Sequence, residues 1–497
     1  MGAPLGEKVS KPGRVLSDPQ QAGNLERSLT ESTAILGYSV YEPWKKWLIV
    51  ALTSLAAMFS PLSSNVYFPA IPVIATAFST SIERINITVT VYMLLQGLSP
   101  AVWSGLADSR LCGRRPVYLA CLALLALSCV GLAFTPVDAY WLLVLLRCFQ
   151  AAGCASVIAI SSGTIMDIAA PGERGIFLGV SSLGAMFGSC IGPVIGGVLA
   201  GRYGWRAIFY FLLAASALCF LLELLFLPET LRAIVGDGSL PAPRWNRPLL
   251  PVLGQAWREG MHDGKSSELP RRTGPLDFVK LFTHIDVCLI LWTNAVSFTM
   301  FYCIQTTLSP LFLAAYPSLT ETEIGLCYLA SGAGCIVGAP LSGRLLDISW
   351  AREEARVKRE GGHVRKEHAR LSSSPIYWGL NTAVLAAYGW CVRFGVSVGV
   401  TLLLQFFATC MTMCIFTVSQ TLLMDLFPGR GSAVGAANNI VRCLLGAVVI
   451  SVIDFVRLAI GPGWTFTALS VWCVLTYPLV LLEWRYGTHW AAKRKST

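Results

Sequence analysis

The sequence predicts an all-α membrane protein whose twelve transmembrane helices form two six-helix bundles related by pseudo-symmetry. Three observations predict it. Hydrophobic residues make up 54% of the 497 and charged residues only 13%, with a mean hydropathy of +0.61, a balance that ordinary soluble domains do not reach. Twelve apolar windows are candidates to cross about 30 Å of hydrocarbon as helix. Two motifs also recur: Met166-Asp167-Ile168-Ala169-Ala170-Pro171-Gly172-Glu173-Arg174-Gly175 is echoed by Met424-Asp425-Leu426-Phe427-Pro428-Gly429-Arg430-Gly431, and Ser104-Gly105-Leu106-Ala107-Asp108 by Gly343-Arg344-Leu345-Leu346-Asp347. Internal repeats in a membrane chain point to a secondary transporter whose halves rock about a site near the bilayer midplane.

The spans fall in order at 47–69, 85–105, 116–134, 140–165, 175–200 and 205–227, then at 285–308, 323–345, 376–391, 396–424, 433–456 and 464–483. One repeat closes the second and eighth spans, and the other follows the fourth and tenth. The ninth is short and ends near Arg393. Residues 1–43 form a Ser-, Gly- and Pro-rich tail that reads as disordered, with no signal-peptide core before the first span. Residues 44–230 make the first bundle, 231–280 a Pro- and Arg-bearing linker, 281–486 the second bundle and 487–497 a closing tail. A charged loop at 350–370 reads as a solvated helical or disordered segment.

The loops orient the chain, because cytoplasmic segments retain Lys and Arg. With the amino terminus inside, the inner segments hold 31 of the 38 basic residues and the outer ones five: Arg84, Arg202, Arg206, Arg393 and Arg457. Both termini are therefore expected in the cytoplasm. The net charge of +10 follows from this bias, which excludes a nucleic-acid partner, since that would need a basic face on a soluble fold. The 16 cysteines lack metal-ligand spacing and read as packing residues, so neither a metal nor a disulfide framework is indicated. No Gly-x-x-x-x-Gly-Lys phosphate loop is present, and no cofactor is implied. Asn86-Ile87-Thr88 matches a glycosylation sequon but lies too close to a span to carry weight.

Small residues mark helix packing, since in lipid they let backbones approach. Gly184, Gly188, Gly192 and Gly196 recur every four residues in the fifth span beside Pro193 and Gly197. Ala330, Gly334, Gly338 and Ser342 do so in the eighth, and these two helices are expected to cross closely, one from each half.

Charges inside spans are costly unless they serve a purpose. At 1.5 Å per residue, Arg147 stands about 12 Å down the fourth helix and Arg442 about 15 Å into the eleventh. Glu223, Asp454 and Glu483 lie towards span ends, so the deep sites are basic. Arg442 reads equally as a ligand for substrate and as a pin bound to carbonyls or to Asn438. Polar candidates for a central cavity are Asn65, Tyr67, Gln150, Tyr302, Gln305, Gln405, Gln420, Asn438 and Asn439. Asp108 ends its helix, where the dipole disfavours an anion, and should seek Arg114, Arg115 or the amino end of the eleventh span at Gly431-Ser432. Asp167 with Arg174, and Asp425 with Arg430, are candidate further latches, and Asp347 is the echo of Asp108.

Several motifs carry a family resemblance. Gly188-x-x-x-Gly192-Pro193-x-x-Gly196-Gly197 is similar to the antiporter motif of the drug:proton antiporters of the major facilitator superfamily. Leu106-Ala107-Asp108 followed by Gly113-Arg114-Arg115-Pro116 resembles the superfamily's loop motif, and Arg147-x-x-Gln150-x-x-Gly153 its fourth-helix motif. Pro228-Glu229-Thr230 and Asn438-Asn439-x-x-Arg442-Cys443-Leu444-Leu445-Gly446-Ala447 resemble the fungal quinidine-resistance branch, which also holds citrate exporters. The loop here is longer than usual, with Ser109-Arg110-Leu111-Cys112 between Asp108 and Gly113. Ser104 replaces the motif's first Gly and Ala151 a usual Gly.

The resemblance implies a monomeric, proton-coupled exporter in the plasma membrane, working by alternating access on drugs, toxins, secondary metabolites or organic acids. It links Arg147 to proton coupling or substrate contact, and the Asp108 loop to a latch that shuts the cytoplasmic side. A buried acid for cationic drugs is missing. A nutrient sensor would carry a long cytoplasmic tail, and an enzyme a convergent catalytic set, whereas the five His, at 262, 284, 363, 368 and 489, pair with no nucleophile. From the expected crossing of the fifth and eighth helices, Gly196→Leu should stop transport with expression intact, measured by vesicle flux and membrane yield.

Overall fold

A computed structural model describes residues 39–170, 173–250, 279–360, 365–427 and 431–496, and among them helices are the only regular structure. The amino-terminal tail to residue 38 and most of the linker, 251–278, lie outside the described residues.

Among the described residues, twelve helical segments follow in order. The first, Pro43–Ala77, breaks at a tight turn, Phe68–Ala70, where Pro69 and Pro72 remove two backbone donors. Ile82–Ala107 and Arg114–Ala133 follow, then Tyr140–Ile168, Arg174–Tyr203 and Arg206–Phe226. The second half holds Ile285–Ala315, Glu321–Glu360, Ser374–Arg393 and Val398–Leu426. Its last track, Gly431–Ser496, is helical except at Gly461, whose φ of 79° is left-handed backbone that glycine tolerates. That break separates the eleventh span from the twelfth. By length and composition ten described helices are apolar enough to cross a membrane, the last of them containing both of these spans. The ninth, Ser374–Arg393, falls short on that measure but packs between the tenth and the last track.

The eighth helix has 40 residues, about 60 Å at 1.5 Å per residue, twice the hydrocarbon thickness. Of the two readings of the charged segment at 350–370, the helical one holds as far as Glu360, laced by Arg356 to Glu353 (2.7 Å).

Within the first half, the fifth span packs on the first, the sixth on the third, and the fourth on the second and third. Within the second half, the eighth packs on the tenth and the seventh on the last track. The halves meet along two seams: fifth with eighth, and second with the last track.

The fifth and eighth helices cross closely, one from each half, as expected, but the four-residue ridges are not the surfaces that meet there. A Cβ on Gly184 would sit 2.8 Å from the Ser54 carbonyl oxygen, one on Gly188 2.6 Å from that of Met58, and one on Gly192 3.3 Å from Asn65 Cβ, while Gly196 lies against Val66. That ridge seats the fifth span on the first, inside one half. Gly334 lies against Thr409 and Phe406, and a Cβ on Gly338 would stand 2.6 Å from the Cys410 carbonyl oxygen, so the other ridge seats the eighth on the tenth. Residues a quarter-turn away make the seam between halves: a Cβ on Gly197 would stand 2.6 Å from Gly325 Cα, and Gly332 abuts Cys190.

The structure revises the Gly196 expectation accordingly. Because Gly196 packs on main chain of its own half, Gly196→Leu is predicted to lower folded yield and thermal stability, read by detergent-extracted monodisperse protein. The milder change at the seam, Gly197→Ala, is predicted to leave yield near wild type and reduce flux.

Candidate functional site: a basic centre and its gate

Arg147 is 1% exposed, and no carboxylate among the described residues pairs with it. Its guanidinium lies 4.1 Å above the Tyr67 ring and 4.3 Å from that of Tyr92, and Nη1 donates to Gln150 Oε1 at 2.6 Å. Two ring faces and one amide oxygen thus replace the missing counter-ion, each desolvated cation–π contact contributing about 2 kcal/mol. Tyr67 and Tyr92 are locked in turn. Tyr67 shares a hydrogen bond with Thr88 (2.9 Å), and Tyr92 meets Cys154 Sγ (2.9 Å). Nε of Arg147 has no hydrogen-bond partner among the described residues.

Arg442, in the eleventh span, repeats the scheme with different parts. Its guanidinium lies 4.8 Å from the Phe298 ring and 5.7 Å from that of Phe416. Nε and Nη2 donate to Asn439 Oδ1 at 3.1 and 2.7 Å, which makes Asn439, one residue on from the predicted Asn438, the pinning amide. Asn438 instead donates to Gln420 Oε1 at 2.6 Å. Asn439 also reaches the other half: its Nδ2 donates to the carbonyl oxygens of Gln96 (2.8 Å) and Gly97 (3.3 Å) in the second span. The backbones come this close because a Cβ on Gly97 would lie 2.9 Å from Cys443 Cβ. Arg442, Asn439 and Gln420 are half-buried, whereas Arg147 and Gln150 are enclosed. An aromatic bridge lies between the two arginines: Phe68, next to Tyr67, packs on Tyr302 (6.0 Å), and Tyr302 on Phe298 (4.5 Å).

The gate residues pair inside their own halves. Arg114 binds Asp108 at 2.8 Å and Asp167 at 2.6 Å. Asp108 stays 55% exposed in its side chain. Asp167 therefore takes Arg114 where Arg174 was expected, and Arg174 Nε donates to the Ala169 carbonyl (3.2 Å). In the second half Asp425 pairs with Arg370 at 2.8 Å and accepts Lys366 at its main-chain oxygen, while Arg430 lies outside the described residues. Asp347 is exposed, with no ion pair among the described residues.

Arg115 is a capping residue. It donates to the carbonyls of Leu227 (2.8 Å), Leu224 (2.7 Å) and Trp245 (3.1 Å), closing the carboxyl end of the sixth span. Reciprocally, Glu229 accepts the backbone N–H groups of Arg114 (2.9 Å) and Arg115 (3.3 Å) at the amino end of the third span, and the Asn246 amide at 2.6 Å. Gly113, at φ 82°, makes the entry turn against Glu229 and Asn246. This knot fastens the start of the linker to the first half.

Among the described residues, the hydrogen bonds, ring contact and close glycine contacts that cross between halves lie at or beyond the Asn439 level, away from the face where the first and last described residues lie. They include Ser309 to the Pro69 carbonyl (3.5 Å), Phe68 on Tyr302, Gly197 on Gly325, and Asn86 donating to Asp454, which also binds Arg457 at 2.8 Å. No described ion pair joins the halves on the chain-end face. The sequon asparagine, 1% exposed, is thus spent on a buried contact.

Other candidates do not converge on this centre. Asn65 donates to the Pro61 carbonyl (2.7 Å) under Gly192, and Gln405 to Ser331 (2.7 Å). Gln305 Oε1 is buried without a partner among the described residues. Sequence reasoning missed Tyr92, Phe298, Phe416, Gln96 and Arg370. A basic residue deep in a span signals that aromatic partners are needed, but not which ones.

Two six-helix bundles closing around buried basic groups define a multi-pass integral membrane protein of the secondary-transporter class. The Major Facilitator Superfamily model matches residues 53–450, and the chain belongs to that family. It is 31% identical over 477 residues to citrate exporter 1 of Aspergillus niger, covering 92% of this chain and 89% of that protein. It is 33% identical over 496 residues to the multidrug transporter QDR2 of Candida glabrata, covering 92% and 83%. Among solved structures it is similar to the xylose transporter XylE from E. coli in a partially occluded inward-open conformation, with a TM-score of 0.61, 15% identity, and 89% and 97% covered. The family and these relatives are transporters, not enzymes.

Glu229→Ala is predicted to strip the cap of the third span and lower unfolding stability by about 1–3 kcal/mol, the cost of leaving buried donors unmet. Glu229→Gln, which keeps one acceptor, should lose less, and thermal denaturation of the purified protein measures both.

Proposed function

We propose that this chain is a proton-coupled exporter of small organic molecules, working by alternating access as a monomer in the plasma membrane, with both termini in the cytoplasm. The observation that carries the reading is the placement of the hydrogen bonds and close glycine contacts between halves among the described residues. They run from the Asn439 level to the far face, while the ion pairs of the chain-end face stay within one half each. With the chain ends inside, as the excess of Lys and Arg in those segments supports, the basic centre is reached from the cytoplasm, where an exporter loads. Breaking the far seam and closing the near one would deliver the load outside. Proton drive is supported by the resemblance to drug:proton antiporters and by the absence of a nucleotide-binding loop.

The first reading of the substrate is broad efflux of drugs, toxins or secondary metabolites, in line with the name of the Candida glabrata relative. The second is an organic acid, in line with the Aspergillus niger relative. One observation favours the second: each half carries an arginine within a span, buried in one and half-buried in the other, and neither has a carboxylate partner among the described residues.

The test is flux in reconstituted vesicles under an imposed pH gradient, with labelled citrate, a labelled neutral drug and a labelled cationic drug. An exporter of this kind moves at least one of them against the proton flow, and a protonophore abolishes it. Flux that is indifferent to the protonophore would overturn the coupling, and absence of all flux would overturn the exporter reading.

A further inference from the structure

The two buried arginines differ in what they leave free. Arg147 is closed in by rings on both faces and by Gln150, with 1% of its surface exposed. Arg442 is half-buried, and Asn439 occupies only Nε and Nη2. Phe298 and Phe416 flank the guanidinium and the Cys443 thiol lies beside it, while Nη1 makes no hydrogen bond among the described residues. A guanidinium edge within an apolar wall is a receptor for one carboxylate attached to an apolar body, since charge-assisted N–H···O bonds strengthen as water leaves. A second or third carboxylate would find no second free cation, because Arg147 is sealed behind Tyr67 and Tyr92.

The pinning amide gives this edge a mechanical consequence. Asn439 holds Arg442 through Oδ1 and grips the Gln96 and Gly97 carbonyls of the opposite half through Nδ2. An anion that draws the guanidinium towards itself competes with Oδ1 and thereby loads the one amide that ties the eleventh span to the second at this level.

Resting on the reading of the chain as an exporter, we propose that Arg442 is the docking point for the carboxylate of a monoanionic organic substrate with an apolar body, and that Asn439 relays its arrival to the other half. Arg442 sets the charge specificity. Asn439 acts as a positioning residue whose loss uncouples binding from movement.

Full-length protein in nanodiscs is titrated with benzoate, with its uncharged counterpart benzamide, and with citrate, followed by ligand-induced thermal stabilisation. The same variants are assayed for proton-driven benzoate efflux from vesicles. Wild type should be stabilised by benzoate at concentrations about tenfold or more below those required of benzamide, the scale of one charge-assisted contact. Arg442→Gln should bring benzoate down to the benzamide level, and Arg442→Lys, which keeps the charge without the fork, should fall between. Asn439→Ala should still prefer benzoate over benzamide, because Arg442 keeps its charge, yet lose about tenfold or more in efflux. Equal response to benzoate and benzamide, or an Arg442→Gln variant that binds benzoate as wild type does, would overturn the site. Preference for citrate over benzoate would overturn the monoanion assignment. Normal efflux by Asn439→Ala would overturn the relay. Proton-driven flux of a drug with no benzoate binding would leave the exporter reading standing and this inference refuted.

Discussion

A guanidinium carried into hydrocarbon keeps its charge, and everything around it must supply electron density in place of water. Arg147 and Arg442 impose that requirement on the two halves. The first half answers with the Tyr67 and Tyr92 rings and the Gln150 amide, the second with Phe298, Phe416 and Asn439. These answers draw aromatic residues of the first, second, seventh and tenth spans around the two guanidinium groups. They also bring Asn439 to the second span, so the basic centre and the seam between halves are built from the same side chains.

Each half is stiff for a separate reason. Glycine ridges seat helix on helix with backbone atoms in contact, as Gly188 on Met58 and Gly338 on Cys410, leaving little side-chain slack to absorb motion. Reciprocal capping by Glu229 and Arg115 ties the third span to the sixth where side chains meet water. Arg114 gathers Asp108 and Asp167, and Arg370 holds Asp425, again within single halves. Between the halves the connections are of another kind: glycine crossings such as Gly197 on Gly325, the amide of Asn439, and Asn86 on Asp454, with no ion pair among the described residues. Bundles braced internally by ion pairs and joined by a seam that lacks them favour rigid-body rocking over internal deformation.

The fold was legible because hydrophobic length and basic loops act over whole segments, and a few misplaced residues do not alter them. Even the weak ninth span is a 20-residue helix, Ser374–Arg393. Pairings were less legible because spacing names a ridge without naming its neighbour. The four-residue repeat from Gly184 to Gly196 marks a surface for close approach, and whether the first or the eighth span fills it depends on bundle geometry. Ion pairs failed similarly. Arg174 is seven residues from Asp167 and is turned to the Ala169 carbonyl, whereas Arg114 comes from 53 residues away. For Arg442 both Asn438 and Asn439 sit at helical reach. The choice of Asn439 follows from the second span arriving on that side, which no local pattern encodes.

The central claim is that the halves move as bodies about a seam to which Asn439 belongs. The most direct measurement is a spin–spin distance between labels at Leu111, 94% exposed on the first half, and Arg352, exposed on the second, near the chain-end face. The half-buried cysteines Cys112, Cys148, Cys288 and Cys391 would be replaced by Ser. The account predicts two distance populations whose ratio shifts with an imposed pH gradient or a transported ligand, the shorter one representing closure of the chain-end face. A single distance unchanged by either, in protein that still transports, would contradict it.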